Sequence, residues 1–132
     1  MHRMLITALL VPAILLLACG GAGSEADRVE SVLREYVAHY IASEPAEMYA
    51  LLDTASQAQC SEENFVAFLS AAREALGERE FAITEIRDLV VDGESASATV
   101  VSTVDGEQAD PTENTLIKED GEWRLELPSG SC

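Results

Sequence analysis

The sequence predicts an α+β protein in which helices come first and an antiparallel sheet follows. Apolar residues between Val29 and Ile41 recur at spacings of three and four, which is typical of a helix with one buried face. After residue 80, Asp-Gly pairs at positions 92, 105 and 120 separate β-rich segments. Asp-Gly favours tight hairpins because both residues tolerate positive φ. Helices followed by hairpin-linked strands indicate helices packed on a sheet.

Two helices are predicted before residue 54. The first carries the apolar stripe and is broken at Glu44-Pro45, because proline suits the first turn of a new helix. The second runs from residue 47 to about residue 53. Its inward-facing side chains are Met48, Leu51 and Leu52.

A third helix is predicted to begin after Ser61, whose hydroxyl can cap it, and to end at Gly77. Acidic side chains occupy its first turn, where negative charge suits the helix dipole. Its apolar face consists of Phe65, Phe68, Leu69, Ala72 and Leu76.

Four strands are predicted over residues 80–91, 95–104, 108–118 and 122–127, forming an antiparallel meander. In the last strand Trp123, Leu125 and Leu127 share one face, because side chains alternate along a strand. Pro111 predicts an edge position, a bulge or a loop within the third segment, since proline cannot donate a hydrogen bond to the ladder.

The helix break at Glu44-Pro45, within residues 29–52, and the closing hairpin over residues 118–125, with tryptophan on its last strand, resemble the NTF2-like, SnoaL-like superfamily. The resemblance covers residues 26–127. It implies a cone in which three N-terminal helices, the first of them long, pack on a curved four-stranded sheet. The superfamily includes isomerases, cyclases and dehydratases that place Asp, His and Tyr side chains inside this cone.

The first 18 residues resemble a secretory signal. Arg3 precedes an apolar run from residue 4 to residue 18, which falls short of the roughly 20 residues that a membrane-spanning helix needs. Leu16-Leu17-Ala18-Cys19 then resembles the lipobox of bacterial lipoproteins. The resemblance implies that the Cys19 sulfur takes a diacylglyceryl group, with palmitate as a typical acyl chain, and that a signal peptidase cuts between Ala18 and Cys19. An ordinary signal peptide cut nearby, or an uncleaved anchor, is the alternative.

Residues 19–25 are predicted to hold the lipid and a Gly-rich tether, and residues 26–132 to form the domain. A Gly/Ser chain of about five residues spans on the order of 13 Å. This layout also resembles small exported lipoproteins of actinobacteria that carry an NTF2-like domain. We expect the protein at the outer face of the bacterial cell membrane, or on the periplasmic side of an envelope membrane.

The chain is strongly acidic, with a formal net charge of −16 from 24 acidic and 8 basic side chains. Removal of residues 1–18 takes away Arg3 and shifts this charge to −17. Nucleic acid is therefore excluded as a partner, since lysine and arginine must neutralise its phosphates. The predicted partners are the membrane, through the lipid, and a small apolar ligand or an envelope protein. An acidic, solvated surface explains the charge better than attraction of cations.

Cys60 and Cys132 remain once Cys19 is assigned to the lipid. An even pair in an exported protein predicts a disulfide, and two free thiols are the alternative. Neither cysteine has the neighbours of a catalytic thiol, and their spacing with His39 does not fit a zinc site. We therefore expect no metal and no cofactor.

Four aromatic side chains are the candidates for lining a pocket in the cone: Tyr36, Tyr40, Phe65 and Trp123. A tyrosine hydroxyl could orient a ligand there, although buried tyrosines are more often core residues. His39 lies on the flank of the stripe and is predicted to be a partly exposed helix residue rather than a general base.

Three further patterns have structural explanations. Asp53 is predicted to end or cap a helix. The three Asp-Gly-Glu strings have the wrong spacing for a calcium loop and suit hairpin turns better. No GxSxG, phosphate-binding glycine loop or metal-binding histidine pair occurs.

Two classes of function follow, and no catalytic residue is assigned. A non-catalytic binding or interaction module at the cell envelope is favoured, because no carboxylate stands out on the predicted inner strand faces. A small isomerase, cyclase or dehydratase acting on an apolar substrate is the alternative. An envelope antigen without a ligand also fits the sequence.

The lipid anchor is testable at the N-terminus. Mass spectrometry of the protein from its native host should find an acylated cysteine as the first residue. A Cys19→Ala protein should no longer be fully membrane-bound, because the acyl chains supply the membrane affinity. Complete retention of Cys19→Ala in the membrane fraction would contradict lipidation.

Overall fold

The protein's computed structural model describes residues 23–132, so the predicted signal segment 1–18 and the predicted sites at Ala18 and Cys19 lie outside the described residues. Within the described range, four helices precede five strands, which confirms the α+β class. The helices are α1 (Glu25–Ile41), α2 (Pro45–Ala50), α3 (Thr54–Gln59) and α4 (Glu62–Leu76). The strands are β1 (Phe81–Asp92), β2 (Ser95–Val104), β3 (Glu107–Gln108), β4 (Thr112–Glu119) and β5 (Glu122–Glu126).

α1 begins one residue before the predicted domain boundary, and a capping box explains why. Ser24 Oγ accepts a hydrogen bond from the backbone N–H of Asp27 at 3.2 Å, while Asp27 Oδ2 accepts one from the backbone N–H of Ser24 at 3.1 Å. The pair satisfies N–H groups that the start of a helix leaves free. Farther along α1, Val29 and Leu33 are buried, as the apolar stripe predicts.

The predicted second helix, residues 47–53, begins and ends too late, because α2 spans Pro45–Ala50, and a further helix was missed. α2 stops at Ala50, and the chain then forms a parallel bridge between Leu52 and Leu125 of β5. Asp53 follows and caps α3, since its Oδ1 accepts from the backbone N–H of Ser56 at 3.0 Å. The capping role predicted for Asp53 is confirmed. α3 has only six residues, too few for a helical period to appear in the sequence.

α4 matches its prediction at both ends. Ser61 Oγ accepts from the backbone N–H of Asn64 at 3.2 Å, and Gly77 ends the helix with a φ of 67°. Phe65 is buried at the centre of the helix face. The inward position predicted for Phe68 is wrong, because 54% of this residue is exposed.

The sheet has the strand order β1-β2-β4-β5, with β3 paired to the end of β2, and every pair is antiparallel. Asp105 and Asp120 have φ values of 53° and 51°, and the glycine after each has a φ of 80°. These are the values that a type I′ hairpin requires. At the first hairpin, Asp92 belongs to β1 and Gly93, with a φ of 60°, begins the turn.

The third predicted strand is divided into β3 and β4, so the meander has five strands rather than four. Residues 109–111 stand opposite only two residues of β2, which makes a bulge. Ala109 donates its backbone N–H to the carbonyl of Ser102 at 2.9 Å and keeps the bulge on the sheet. Pro111 lies inside the bulge, which is one of the positions predicted for it.

β1 bends the sheet. Its register against β2 shifts between Ile83 and Glu85 and again between Arg87 and Val90. Asp88 lies within the second irregularity and has a φ of 53°. Bulges of this kind bend a strand and increase its twist, so they contribute to the curvature of the sheet.

The core fills the space between the curved sheet and the helices. Its side chains come from α1, α2, α4, the chain on either side of α3, and the inner faces of β2, β4 and β5. The largest fully buried ones include Leu33, Leu52, Phe65 and Leu116.

A disulfide joins the helical half to the C-terminus. Cys60, 1% exposed, bonds to Cys132 across 72 positions of sequence, with their Cα atoms 5.6 Å apart. This separation lies within the usual range for a disulfide. The predicted pairing is therefore present in the structure.

Loss of this disulfide should lower stability. In the chain-entropy model, closing a loop of this length reduces the entropy of the unfolded chain and contributes about 4 kcal/mol. Cys132→Ser should therefore unfold at a lower guanidinium concentration than the parent protein. Cys132 is the better choice for substitution, because it is exposed whereas Cys60 is buried.

Ser129→Ala is a control for changes near the C-terminus and should leave the midpoint unchanged. Dithiothreitol should lower the midpoint of the parent protein but not that of Cys132→Ser. Equal midpoints for the oxidised parent and Cys132→Ser would contradict a stabilising disulfide.

Candidate functional site

A cleft of about 470 Å³ lies among the C-terminal end of α1, α2 and the second half of α4. Tyr40, Met48 and Leu69 give it apolar walls, and Arg73 and Glu74 bring charge. Its volume is within the range of small-molecule sites, which are typically about 300–1,000 Å³.

The link between α1 and α2 shapes one end of the cleft. Ser43 takes a φ of 59°, and the backbone N–H of Glu44 donates to the carbonyl of His39 at 2.9 Å. The chain therefore reverses abruptly, and Pro45 starts α2 as its first residue. The helix break that the sequence predicts thus forms part of the wall of the site.

Arg73 is the notable polar group of the cleft. Its guanidinium carbon lies 5.7 Å from the centre of the Tyr40 ring, which is within cation–π distance. Its Nη1 atom is buried and has no hydrogen-bond partner. The Tyr40 ring also packs edge-on against Phe81 of β1, with ring centres 5.5 Å apart. The position of Arg73 is therefore braced by aromatic side chains.

Sequence reasoning missed Arg73. The sequence does place Arg73 in line with the apolar face of α4, because it lies four residues after Leu69 and eight after Phe65. A cation at such a position either extends to solvent or serves a buried partner, and the sequence does not distinguish these outcomes.

Tyr36 lies at a different place from Tyr40. It is half-buried and borders a second cleft, of about 350 Å³, together with Asn114 and Leu125. Burial raises the pKa of Tyr36 to about 12. Its hydroxyl therefore stays protonated at neutral pH, where it can donate a hydrogen bond but cannot serve as a base.

Phe65 is a core residue. It packs against Tyr49 with the ring centres 5.6 Å apart, and it borders none of the clefts described for residues 23–132. The Tyr49 hydroxyl lies 2.8 Å from the carbonyl oxygen of Cys60 and 3.0 Å from that of Gln57. This pair therefore supports the chain beside the disulfide.

Trp123 links β5 to the start of α1. Its Nε1–H donates to Glu25 Oε2 at 2.7 Å, and Lys118 Nζ donates to Glu25 Oε1 at 3.2 Å. The hydrogen bond from Trp123, followed by that from Lys118, lowers the pKa of the Glu25 carboxyl. These groups join the first turn of α1 to the sheet.

The structure does not bring the four candidate pocket residues into one cavity, because Tyr40, Tyr36 and Trp123 border three different clefts and Phe65 borders none of those described. Each meets a different part of the fold, because α1 runs across the sheet. Trp123, on β5, lies beside the first turn of α1. Tyr36 lies near the middle of α1 and Tyr40 at its end, about 22 Å along the helix axis from the first residue. Phe65 packs among the helices.

His39 is partly exposed, as predicted. Its Nδ1 lies 2.6 Å from Glu44 Oε2, and its Nε2 lies 3.7 Å from Glu35 Oε1. The hydrogen bond to Glu44 is the main reason that the pKa of His39 is raised. It forms a surface ion pair at the end of α1, and it does not border the Arg73 cleft.

Among residues 23–132, no cluster of three or more His, Cys, Asp or Glu side chains has the geometry to hold a metal ion. No helix in the same range is long and apolar enough to span a bilayer.

Known structures share this architecture. An NTF2-like protein from Cytophaga hutchinsonii matches with a TM-score of 0.56 and 10% identity, over 78% of this chain and 93% of that one. A protein from the NTF2-like family of Streptomyces avermitilis, provisionally named a dehydratase, matches with a TM-score of 0.58 and 10% identity, over 76% and 89%.

A protein of unknown function from Mycobacterium tuberculosis matches with a TM-score of 0.57 and 17% identity, over 79% of this chain and 75% of that one. No family model and no curated protein matches the sequence. The described domain therefore has the NTF2-like fold, with helices packed on a curved antiparallel sheet.

The Glu25 contacts predict a pH-dependent contribution to stability. Because the folded state lowers the pKa of Glu25 below 4.5, the carboxylate contributes stability above its unfolded pKa, and this contribution is lost as pH falls through the folded pKa. Glu25→Gln should therefore lower the melting temperature at neutral pH, and the difference from the parent should shrink in acid.

Glu30→Gln is the matched control on α1, because Glu30 pairs only with Arg34 on the helix surface. Such exposed pairs contribute little. Melting curves followed by circular dichroism provide the measurement. A deficit for Glu25→Gln that stays constant from neutral to acidic pH would contradict the proposed role of the carboxylate.

Proposed function

We propose that this NTF2-like domain is a non-catalytic binding module, held at the outer face of the bacterial cell membrane by lipid on Cys19. It takes a small ligand with an apolar body in the cleft bordered by Tyr40, Met48 and Leu69. The observation that carries this proposal is the cleft itself, with apolar walls from three helices and a volume of about 470 Å³.

The chemistry of the cleft supports binding rather than turnover. The Arg73 guanidinium offers hydrogen-bond donors and no acceptor, so it can hold an anion but cannot act as a base toward a substrate. General acid–base catalysis needs a titratable group within hydrogen-bond reach of the reacting atom. Glu74 is the carboxyl group that borders the cleft, and it belongs to a residue exposed to solvent. The other candidates lie elsewhere, since Tyr36 borders another cleft, His39 pairs with Glu44, and Asp53 caps α3.

The position of the cleft along α1 also suits a tethered module. The predicted tether joins the domain at the start of α1, whereas the cleft lies at its other end. α1 has 17 residues and is therefore about 25 Å long. A ligand in the aqueous phase can thus reach the cleft without passing the attachment point.

Filling the cleft tests the proposal. The full chain is placed in lipid nanodiscs, and binding is followed by saturation-transfer NMR of two water-soluble probes, 3-phenylpropanamide and 3-phenylpropanoate. At least one probe should show saturation above empty nanodiscs. Ser70→Trp should abolish this signal, because Ser70 borders the cleft and an indole would occupy it.

Ala71→Trp is the control, since Ala71 is an exposed neighbour on α4 that does not border the cleft. It should bind as the parent does, and both variants should melt within a few degrees of the parent. No signal for either probe, or equal signals in the parent and both variants, would contradict this site of binding. Conversion of a bound probe to a product would contradict the non-catalytic role.

A further inference from the structure

Arg73 is set apart from the other cations of the domain. Residues 23–132 contain seven lysines and arginines, and six of them form an ion pair with a carboxylate. Arg73 alone forms none, although all 24 acidic side chains of the chain lie in the same range. The paired cations are Arg28, Arg34, Arg79, Arg87, Lys118 and Arg124.

One guanidinium nitrogen of Arg73 lacks a hydrogen-bond acceptor. The Tyr40 ring lies near its guanidinium, but an aromatic face does not replace an oxygen acceptor for the N–H groups. Nη1 is buried without a hydrogen-bond partner, which is costly for a charged group. Glu74 borders the same cleft, yet it follows Arg73 directly on α4, about 100° around the helix, and forms no ion pair with it.

We propose that the cleft is selective for an organic monoanion, namely a carboxylate on an apolar body. The guanidinium of Arg73 turns so that the buried Nη1 reaches the cleft and donates to the carboxylate, and the apolar body lies against Met48 and Leu69. This inference rests on the proposed function and names the class of ligand for that cleft. A planar guanidinium matches a carboxylate in geometry, and charge-assisted hydrogen bonds of this kind are among the strongest.

The net charge of the domain narrows the choice of anion. A strongly acidic protein repels anions in general, so attraction must arise locally at Arg73. The repulsion grows with the charge of the ligand, which disfavours phosphate relative to a singly charged carboxylate. The apolar walls further favour a ligand with a hydrocarbon body.

The test compares two probes of nearly equal shape. The full chain in nanodiscs is titrated with 3-phenylpropanoate and with its neutral amide, and dissociation constants are obtained by saturation-transfer NMR. The carboxylate should bind roughly tenfold to a hundredfold more tightly than the amide. Inorganic phosphate at the same concentration should not displace it.

Variants at Arg73 then test whether this residue causes the preference for the carboxylate over the amide. Arg73→Met keeps most of the side chain's length and removes its charge, so it should bind the two probes equally. Arg34→Met is the matched control, because Arg34 is exposed on α1 and pairs with Glu30, and it should keep the full preference. Arg73→Lys keeps the charge without the guanidinium fork and should keep part of the preference.

Equal affinity of the parent protein for acid and amide would overturn the proposed selectivity while leaving the binding module in place. Failure of both probes to bind would overturn the binding module as well. A preference that survives in Arg73→Met, or efficient displacement by phosphate, would also overturn the assignment. The comparison of probes on the parent protein needs no variant, so the test holds even if Arg73→Met does not fold.

Discussion

The bridge between Leu52 and Leu125 holds the helical half of the domain on the sheet. Asp53 donates its backbone N–H to the carbonyl of Leu125 at 2.8 Å, and a second backbone bond of 2.9 Å runs in the other direction. Together they cover the outer edge of β5, which would otherwise present unpaired backbone groups. Ser56 adds a further hydrogen bond between the helical half and the sheet side, because its Oγ accepts from the backbone N–H of Leu127 at 2.8 Å. α2 ends just before this segment and α3 begins just after it, so the bridge sets where the helices lie.

The cleft depends on this arrangement, because its walls come from three separate helices, α1, α2 and α4. α1 crosses the sheet with its first turn held by Glu25 against Trp123 and Lys118. The last turn of α1, at the opposite end from these Glu25 contacts, meets α2 and α4. There Arg73 stays without a carboxylate partner in a domain that pairs its other cations at or near the surface. Surface pairs contribute little to stability, whereas an unpaired buried donor gains from a ligand.

The elements that sequence analysis predicted well are those with local signals. Ser61 and Gly77 set the ends of α4, and glycines after aspartate set the hairpins, because caps and turns depend on a few adjacent residues. α3 and the division between β3 and β4 were missed or only partly foreseen. Six residues of α3 show no period, and the bulge around Pro111 depends on how β2 aligns opposite it.

The sequence by itself determined the α+β order and the helix break at Pro45, because periodicity and proline chemistry are properties of the chain. It predicted the pairing of Cys60 with Cys132 but left two free thiols open, and the structure decides for the disulfide. Only the tertiary structure decided the candidate site. Tyr36 and Tyr40 share one helical stripe, yet they border different clefts, since α1 spans the sheet and each turn meets other neighbours. Whether a cation at position 73 is paired depends likewise on which carboxylates folding brings within reach, and folding brings none close enough to form an ion pair.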